Sequence, residues 1–314
     1  MPNAVSRNNP TDRRAYIITG PTSGIGRATA LEMAKHGTIV MVGRDPRKLD
    51  GMREAIENKG GKAISVVCDL SETASVQCAA AEILGLDLPI AGVLNNAGIM
   101  QTRPTRTSLG WDMSFATNHL GPFALTEALV PHLAAGTNVV FVVSAVEDPG
   151  RKPAVAFGFR GGRYISAEAS ARGEWKPGGS VKPGMDAYAT SKQAVLASAL
   201  AFARETPRLR FNAIEPGVNP STGLGGDAGA FVRFAQAFVM PLLVPLLMPF
   251  IKILSTPKQA ARVIAKILID ASGETGIYYD EGGHPMQGSA LVRDPKFQDR
   301  VVAETRALLA TVPK

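Results

Sequence analysis

The sequence predicts an α/β fold: a doubly wound, parallel, seven-stranded sheet with helices on both faces, in a single domain. Short β-branched runs alternate with helical stretches along most of the chain, and alternation of this kind makes a parallel sheet. A glycine-rich turn joins the first strand to the first helix. The length of 314 residues, 45% hydrophobic and 19% charged, suffices for one large core.

The first strand is Ala15-Tyr-Ile-Ile-Thr19, and it stops at Gly20-Pro-Thr-Ser-Gly24-Ile-Gly26. Helix formers follow from Ala28 to His36. Strand, glycine turn and helix in that order form a phosphate cradle. Glycines let backbone approach a pyrophosphate, and amide groups at the helix N-terminus face its charge. The spacing is Gly-x-x-x-Gly-x-Gly rather than GxGxxG. Gly20, Thr22, Ser23, Gly24, Ile25 and Gly26 are the candidate contacts.

The second strand, Thr38-Ile-Val-Met-Val-Gly43, ends in Arg44-Asp45. An acidic residue at this strand end bonds the ribose 2′-hydroxyl of NAD, whereas an arginine accommodates the 2′-phosphate of NADP. Arg44 points to NADP(H), with Arg27 and Lys48 as supporting cations. A register shift of one or two positions would give the place to Asp45 and favour NAD(H).

Pro46 to Asn58 is an amphipathic helix opened by proline, and Ala63-Ile-Ser-Val-Val67 is the third strand, followed by Cys68-Asp69-Leu70. Ile90 to Leu94 is the fourth strand. It runs into Asn95-Asn96-Ala97-Gly98, a turn of small residues where backbone passes close to something flat. The fifth strand spans Asn138 to Val143, the sixth Leu209 to Ile214, ahead of Pro216-Gly217, and the seventh Ile277 to Tyr279. Thr256-Pro257 opens a helix to Ala271, and Asp294 to Leu309 is an amphipathic helix that covers the core or a partner.

The chemistry is concentrated in Tyr188-Ala-Thr-Ser-Lys192. Positions i and i+4 share a helix face, so the phenol and the ammonium project side by side. A neighbouring cation lowers a tyrosine's pKa from its usual value of about 10, which prepares the group to give or take a proton. An amphipathic helix with an exposed Tyr and Lys has the same spacing, so the motif is read with its companions.

Other chemistries are disfavoured. Cys68 and Cys78 lie outside any metal spacing, as do His36, His119, His132 and His284, so no metal is expected and both thiols are read as reduced. Residues 1–13 read as a polar tail without an apolar signal segment, which points to the cytoplasm. The net charge of +7 is spread along the chain without aromatic interleaving, so no nucleic-acid partner is expected.

Thr19-Gly20-x-x-x-Gly24-x-Gly26, Asn95-Asn-Ala-Gly98, Asn118, Ser144, Tyr188-x-x-x-Lys192 and Pro216-Gly217 occur in one chain order. Together they resemble the short-chain dehydrogenase/reductase family over residues 14 to 280, and Trp111 to Leu125 resembles its retinol-dehydrogenase and protochlorophyllide-reductase branches. The resemblance implies a Rossmann-like fold and a role for each residue. Tyr188 would exchange the proton, Lys192 would hold the nicotinamide ribose and tune Tyr188, Ser144 would bond the reacting oxygen, and Asn118 would order a water. Gly20, Ser23, Gly24, Ile25, Arg44, Asp69, Leu70 and Asn96 would line the cofactor, with Asp69 near the adenine. Ala97, Gly98, Pro216, Gly217 and the backbone of Val218 complete the candidate set. Ser144 as a simple strand end and Asn118 as a satisfied helix residue are the plainer alternatives, and His119 reads as structural.

The chain departs from that family in two places. Ser144 and Tyr188 are 44 positions apart, around an insertion of residues 147–185 that is rich in Gly and Pro. It is expected to lie outside the core, as a lid, a partner surface or a disordered excursion. After Pro216-Gly217 the chain reads Val218-Asn-Pro-Ser-Thr222, which leaves open whether Ser221 or Thr222 meets the cofactor carboxamide. Phe234 to Ile251 then runs uncharged for eighteen residues, interrupted by Pro241, Pro245 and Pro249. Prolines at that spacing argue against a spanning helix and for a variable, apolar substrate-binding segment across residues 223–256.

The whole is organised as a tail (1–13), a catalytic domain (14–290) and a C-terminal helical extension (291–314). The function expected is NADP(H)-dependent hydride transfer to or from a lipophilic alcohol or carbonyl compound, as a carbonyl reductase. The alternatives are a catalytically silent NADP(H) sensor and a membrane-surface retinoid or lipid dehydrogenase touching the bilayer through residues 238–251. Family habit adds a homodimer or homotetramer.

Overall fold

In the computed structural model, which describes residues 14–217 and 255–312, eight strands form one sheet. They are β1 (Ala15–Thr19), β2 (Thr38–Gly43), β3 (Ala63–Val67), β4 (Ile90–Asn95), β5 (Asn138–Val142), β6 (Arg210–Ile214), β7 (Tyr278–Tyr279) and β8 (Pro285–Met286). Their order is β3-β2-β1-β4-β5-β6-β7-β8, parallel throughout except for β8. The tail of residues 1–13, Val218, Ser221, Thr222 and the apolar run Phe234–Ile251 lie outside the described residues.

The sheet grows one way from β1 through β2 to β3 and then the other way from β4, so the chain changes direction between β1 and β4. Ile17 pairs with Val40 on one side and Val93 on the other, and all five residues of β1 are buried. A strand covered on both faces must be apolar throughout, which is why β1 reads as a continuous run. On one face, α1 (Gly24–Met33), α2 (Pro46–Glu57) and α9 (Pro257–Ile269) bury Met33, Leu49 and Ile264 against Ile18, Met41 and Val140. On the other face, α3 (Thr73–Gly85), α5 (Gly121–Leu129), α8 (Pro183–Glu205) and α10 (Pro295–Ala310) bury Ile83, Phe123, Phe202 and Val301 with Ile17, Val40 and Phe141, and the short helices α4 (Met113–Phe115), α6 (Lys152–Ala156) and α7 (Ala167–Ala171) fall between them in the chain.

Seven strands were expected, and the eighth is a two-residue antiparallel addition. Its turn is held by Asp280, whose Oδ1 accepts from Gly282 N at 2.9 Å and His284 N at 2.8 Å. A proline in so short a segment reads as loop, and as an edge position it is where proline is tolerated in a sheet.

The insertion corrects a second expectation, because part of it is core. Tyr164 and Ala167 are fully buried and belong to the same cluster as Phe123 and Phe202. The Tyr164 hydroxyl donates to Glu304 Oε2 at 2.7 Å, and Ala167 N donates to the same oxygen at 3.1 Å. The C-terminal helix therefore clasps the insertion from outside. It also reaches α5, where Arg306 lies between Glu127 at 2.9 Å and Glu205 at 2.6 Å. Among the described residues, no helix is long and apolar enough to cross a membrane.

Glu147, at the start of the insertion, is fully buried and accepts from Ser289 N at 2.8 Å and from the Ser289 hydroxyl at 2.7 Å. Burial pushes its carboxyl up to about 7 from an ordinary 4.5, against those two hydrogen bonds. A raised carboxyl stabilises the fold below its unfolded pKa, and the contribution is lost as pH rises through the folded value. The Glu147→Gln variant keeps the shape without the titration. Its stability relative to wild type should therefore improve by up to about 3 kcal/mol between pH 4.5 and pH 8, read from denaturant midpoints at each pH. A constant difference across that range would rule the assignment out.

Candidate active site

The turn after β1 and the turn after β4 are held together by one residue from each. Thr19 Oγ1 accepts from Asn96 N at 2.9 Å and Ala97 N at 3.0 Å while donating to Leu94 O at 3.3 Å. Asn96 Nδ2 returns the contact, donating to Thr19 O at 2.9 Å and Gly20 O at 3.3 Å. Gly20 sits at φ 65°, a region that favours glycine, and a Cβ on Gly26 would collide with the Gly20 carbonyl oxygen and the Asn96 amide. The Ser23 side chain makes no capping hydrogen bond, so the N–H groups opening α1 remain available to an anion. Thr22 and Gly24 are half-buried, Ser23 is exposed, and Ile25 packs inward. This cradle fits a dinucleotide pyrophosphate.

Past β2, Arg44 is exposed and has no protein partner among the described residues. Asp45 is occupied otherwise: it caps α2, accepting from Arg47 N at 3.1 Å and Lys48 N at 3.2 Å. Lys48 lies 3.6 Å from the Asp45 carboxylate, which makes it a capping companion more than a free cation. Asp69 Oδ1 accepts from Ser71 N at 2.9 Å and Ser71 Oγ at 2.7 Å, and Leu70 is buried beneath it.

Tyr188 and Lys192 are both buried on α8, with the Lys192 ammonium 5.7 Å from the Tyr188 ring centre. Lys192 Nζ donates to Val142 O at 2.8 Å, which ties it to the end of β5, just ahead of Ser144. Ser144 acts as a hydrogen-bond partner of the Tyr188 phenol. A π turn at Ala116–Leu120 presents Asn118, whose Oδ1 accepts from Ile99 N at 2.8 Å. Its Nδ2 donates to Ile99 O and Ser191 Oγ, each at 2.9 Å, so only oxygen atoms remain to order the expected water. A Cβ on Gly98 would lie 3.4 Å from Asn118 Oδ1 and 3.5 Å from Lys192 Nζ, which places that turn directly against the pair. His119 is buried beside them with its Nε2 2.9 Å from Thr305 Oγ1, and burial lowers it to about 3, so it stays neutral and structural.

The expected lowering of Tyr188 is reversed. Burial raises the phenol above its ordinary value, the nearby Glu215 charge raises it further, and Ser144 works in the opposite direction. Burial also lowers Lys192 to about 8. Spacing on a helix face places two groups but says nothing of the water withdrawn from both, and here that withdrawal outweighs their attraction.

Glu215 was missed by the sequence reading, where a glutamate between an apolar strand and Pro-Gly looks like an ordinary loop residue. It is 7% exposed and lines a cleft of about 330 Å³ together with Ser144. Val146, Ala154, Phe157, Phe159 and Met185 supply the apolar wall, four of them from the insertion at or beyond Ala154. Gly217 N donates to Glu215 Oε1 at 3.1 Å, and Pro216 lies between the two. No group of three or more His, Cys, Asp or Glu that could hold a metal ion occurs among the described residues.

Comparison with known proteins agrees with this geometry. The short chain dehydrogenase family model matches residues 14–157. A polyprenol dehydrogenase of Mus musculus is 31% identical over 312 residues, spanning 94% of this chain and 83% of the relative. Retinol dehydrogenase 13 of Homo sapiens is 27% identical over 94% of this chain and 84% of its own length. A short chain dehydrogenase of Shigella flexneri, solved as a complex with NADP, superposes with a TM-score of 0.59 at 26% identity, covering 86% of this chain and 97% of that one. With the glycine cradle, the Asn96 clamp and the Tyr188–Lys192 pair already in place, the chain belongs to the short-chain dehydrogenase/reductase family, on its retinol-dehydrogenase side.

Proposed function

We propose that this oxidoreductase uses NADP(H) to interconvert a lipophilic carbonyl compound and its alcohol, working as a carbonyl reductase in the cytoplasm. The single observation that carries the cofactor choice is Arg44, exposed at the end of β2 and without a partner among the described residues, while Asp45 is consumed in capping α2. An arginine so placed can meet a 2′-phosphate with paired hydrogen bonds. The Shigella structure with NADP and the apolar wall of the cleft support the rest. So do the polyprenol and retinol named in the relatives' descriptions. The free thiols Cys68 and Cys78 suit a reducing compartment.

When bound, the nicotinamide supplies the hydride. Everything else falls to the chain. Tyr188 gives the carbonyl oxygen its proton, Ser144 hydrogen-bonds the same oxygen, Lys192 would hold the nicotinamide ribose, and the buried Phe159 shields the reacting carbon from water. A phenol whose pKa is raised by burial holds its proton until the substrate oxygen becomes basic, which suits reduction. A silent cofactor sensor is the second reading, because the same raised phenol makes a poor base.

Tyr188→Phe should lower kcat by about 10²–10⁴-fold while leaving the Kd for NADPH within about threefold, measured by fluorescence titration and turnover of a lipophilic aldehyde and ketone panel. Tight binding with no turnover by the wild-type protein would favour the sensor. Arg44→Ala should weaken NADPH by about 10–100-fold and leave NADH nearly unchanged. Equal losses for both cofactors would remove the NADP assignment.

A further inference from the structure

Glu215 follows β6 directly, and its carboxylate bridges the turn after Ser144 and the turn at Gly217, next to the Val143 N–H to Ile214 O bond that pairs the two strand ends at 2.9 Å. Its Oε2 accepts from Ala145 N and its Oε1 accepts from Gly217 N at 3.1 Å. Ala145 opens a single 3-10 turn to Glu147, so the contact fixes where the chain leaves Ser144. A glutamine there could accept with its carbonyl oxygen but not with its amide nitrogen, so one of the two backbone donors would be left without a partner.

Lys192 provides an independent reason for a carboxylate at this place. Its ammonium is buried, and the acceptor it reaches, Val142 O, is neutral. A buried cation with only neutral partners is costly, and such groups are normally paired with an opposite charge. Glu215 is the charged group that acts on Lys192. The groups that face Glu215 come from several elements. Tyr188 and Lys192 lie on α8, Arg151 in the insertion, Tyr278 on β7, and Glu281 in the turn before β8, with Glu147 beyond Tyr278. Burial and Glu281 push the Glu215 carboxyl up, while the Ala145 and Gly217 N–H groups and Arg151 pull it down. Burial raises the Glu215 carboxyl and lowers the Lys192 ammonium, and the Glu215 charge opposes the fall at Lys192.

We propose that Glu215 is a positioning residue for the reaction: it fixes the Ser144–Ala145 turn through the Ala145 N–H and supplies the counter-charge that keeps Lys192 an ammonium. The proposal rests on the reading of Ser144, Tyr188 and Lys192 as the working set.

The test follows the Lys192 side chain by NMR in isotope-labelled protein, its signal identified by its loss in Lys192→Met. In the wild type it should titrate near pH 8. In Glu215→Gln the titration should fall by about one unit, and in Glu215→Asp, which keeps the charge, it should stay within about half a unit. On the same proteins, kcat should fall by about 10–100-fold in both variants, since aspartate is too short to reach Ala145 N, with the Kd for NADPH within about threefold. A lysine titration unmoved by Glu215→Gln, or moved equally by both variants, overturns the counter-charge. Full kcat in Glu215→Asp overturns the hold on the turn, and that arm stands even if Glu215→Gln does not fold. Failure of the wild type to turn over any substrate would sink the functional reading while leaving the lysine titration interpretable.

Discussion

Thr19 stands where the sheet changes direction, and its hydroxyl makes three hydrogen bonds at once, two accepted and one donated. All three go to β4 or the turn that follows it. Adjacent strands of an open sheet diverge where their connections leave on opposite faces, and the crevice that results is where such sheets bind ligands. Without a fastening at that point, the glycine turn and the Asn96-Ala97-Gly98 turn would be free to separate. With it, the cradle, Gly98 and Lys192 stand at fixed distances from one another. The glycines matter second: Gly26 is small because the Gly20 carbonyl and the fastened Asn96 amide already occupy the space a side chain would need.

Most of the framework was legible because backbone hydrogen bonding and burial leave a period in the sequence. All seven parallel strands were placed within one residue of their observed ends, including two-residue β7. The glycine turn, Arg44, Asn118, Ser144 and the Tyr188–Lys192 pair were legible as motifs. What escaped depends on contacts between distant segments. Glu215 and Glu147 carry no local signal of burial, since a glutamate in a Gly- and Pro-rich neighbourhood normally faces water. The insertion looked like surface for the same reason. Tyr164 and Ala167 are core because the C-terminal helix, far along the chain, packs Phe297 and Val301 in the same cluster while Glu304 accepts from both. The proton affinity of Tyr188 was misjudged because desolvation belongs to the packed molecule and to no single helix.

The site keeps an ammonium and carboxylates in a region from which water is largely excluded. Burying an ion pair gains little stability, and an apolar substitute often packs as well. Retaining Lys192 and Glu215 there is a sign that position outranks stability at this end of the sheet. The low dielectric that makes the charges costly also makes their influence on Tyr188 strong. The insertion contributes to that environment from both ends. Phe159 lies 6.4 Å from the Tyr188 ring, and Tyr164 anchors the rest to the C-terminal helix.

The contact between His119 and Thr305 has a temporal side. His119 adjoins Asn118 in the π turn, and its ring hydrogen-bonds Thr305 of α10. Glu304, one position earlier, holds the insertion that walls the cleft. Both supports are made from the stretch synthesised after nearly all the rest of the described chain. During translation the sheet can assemble as its strands emerge, but the turn bearing Asn118 and the wall opposite Ser144 wait for α10. Cofactor cradle and reaction chamber are thus completed at different moments, and a nascent chain has the first well before the second.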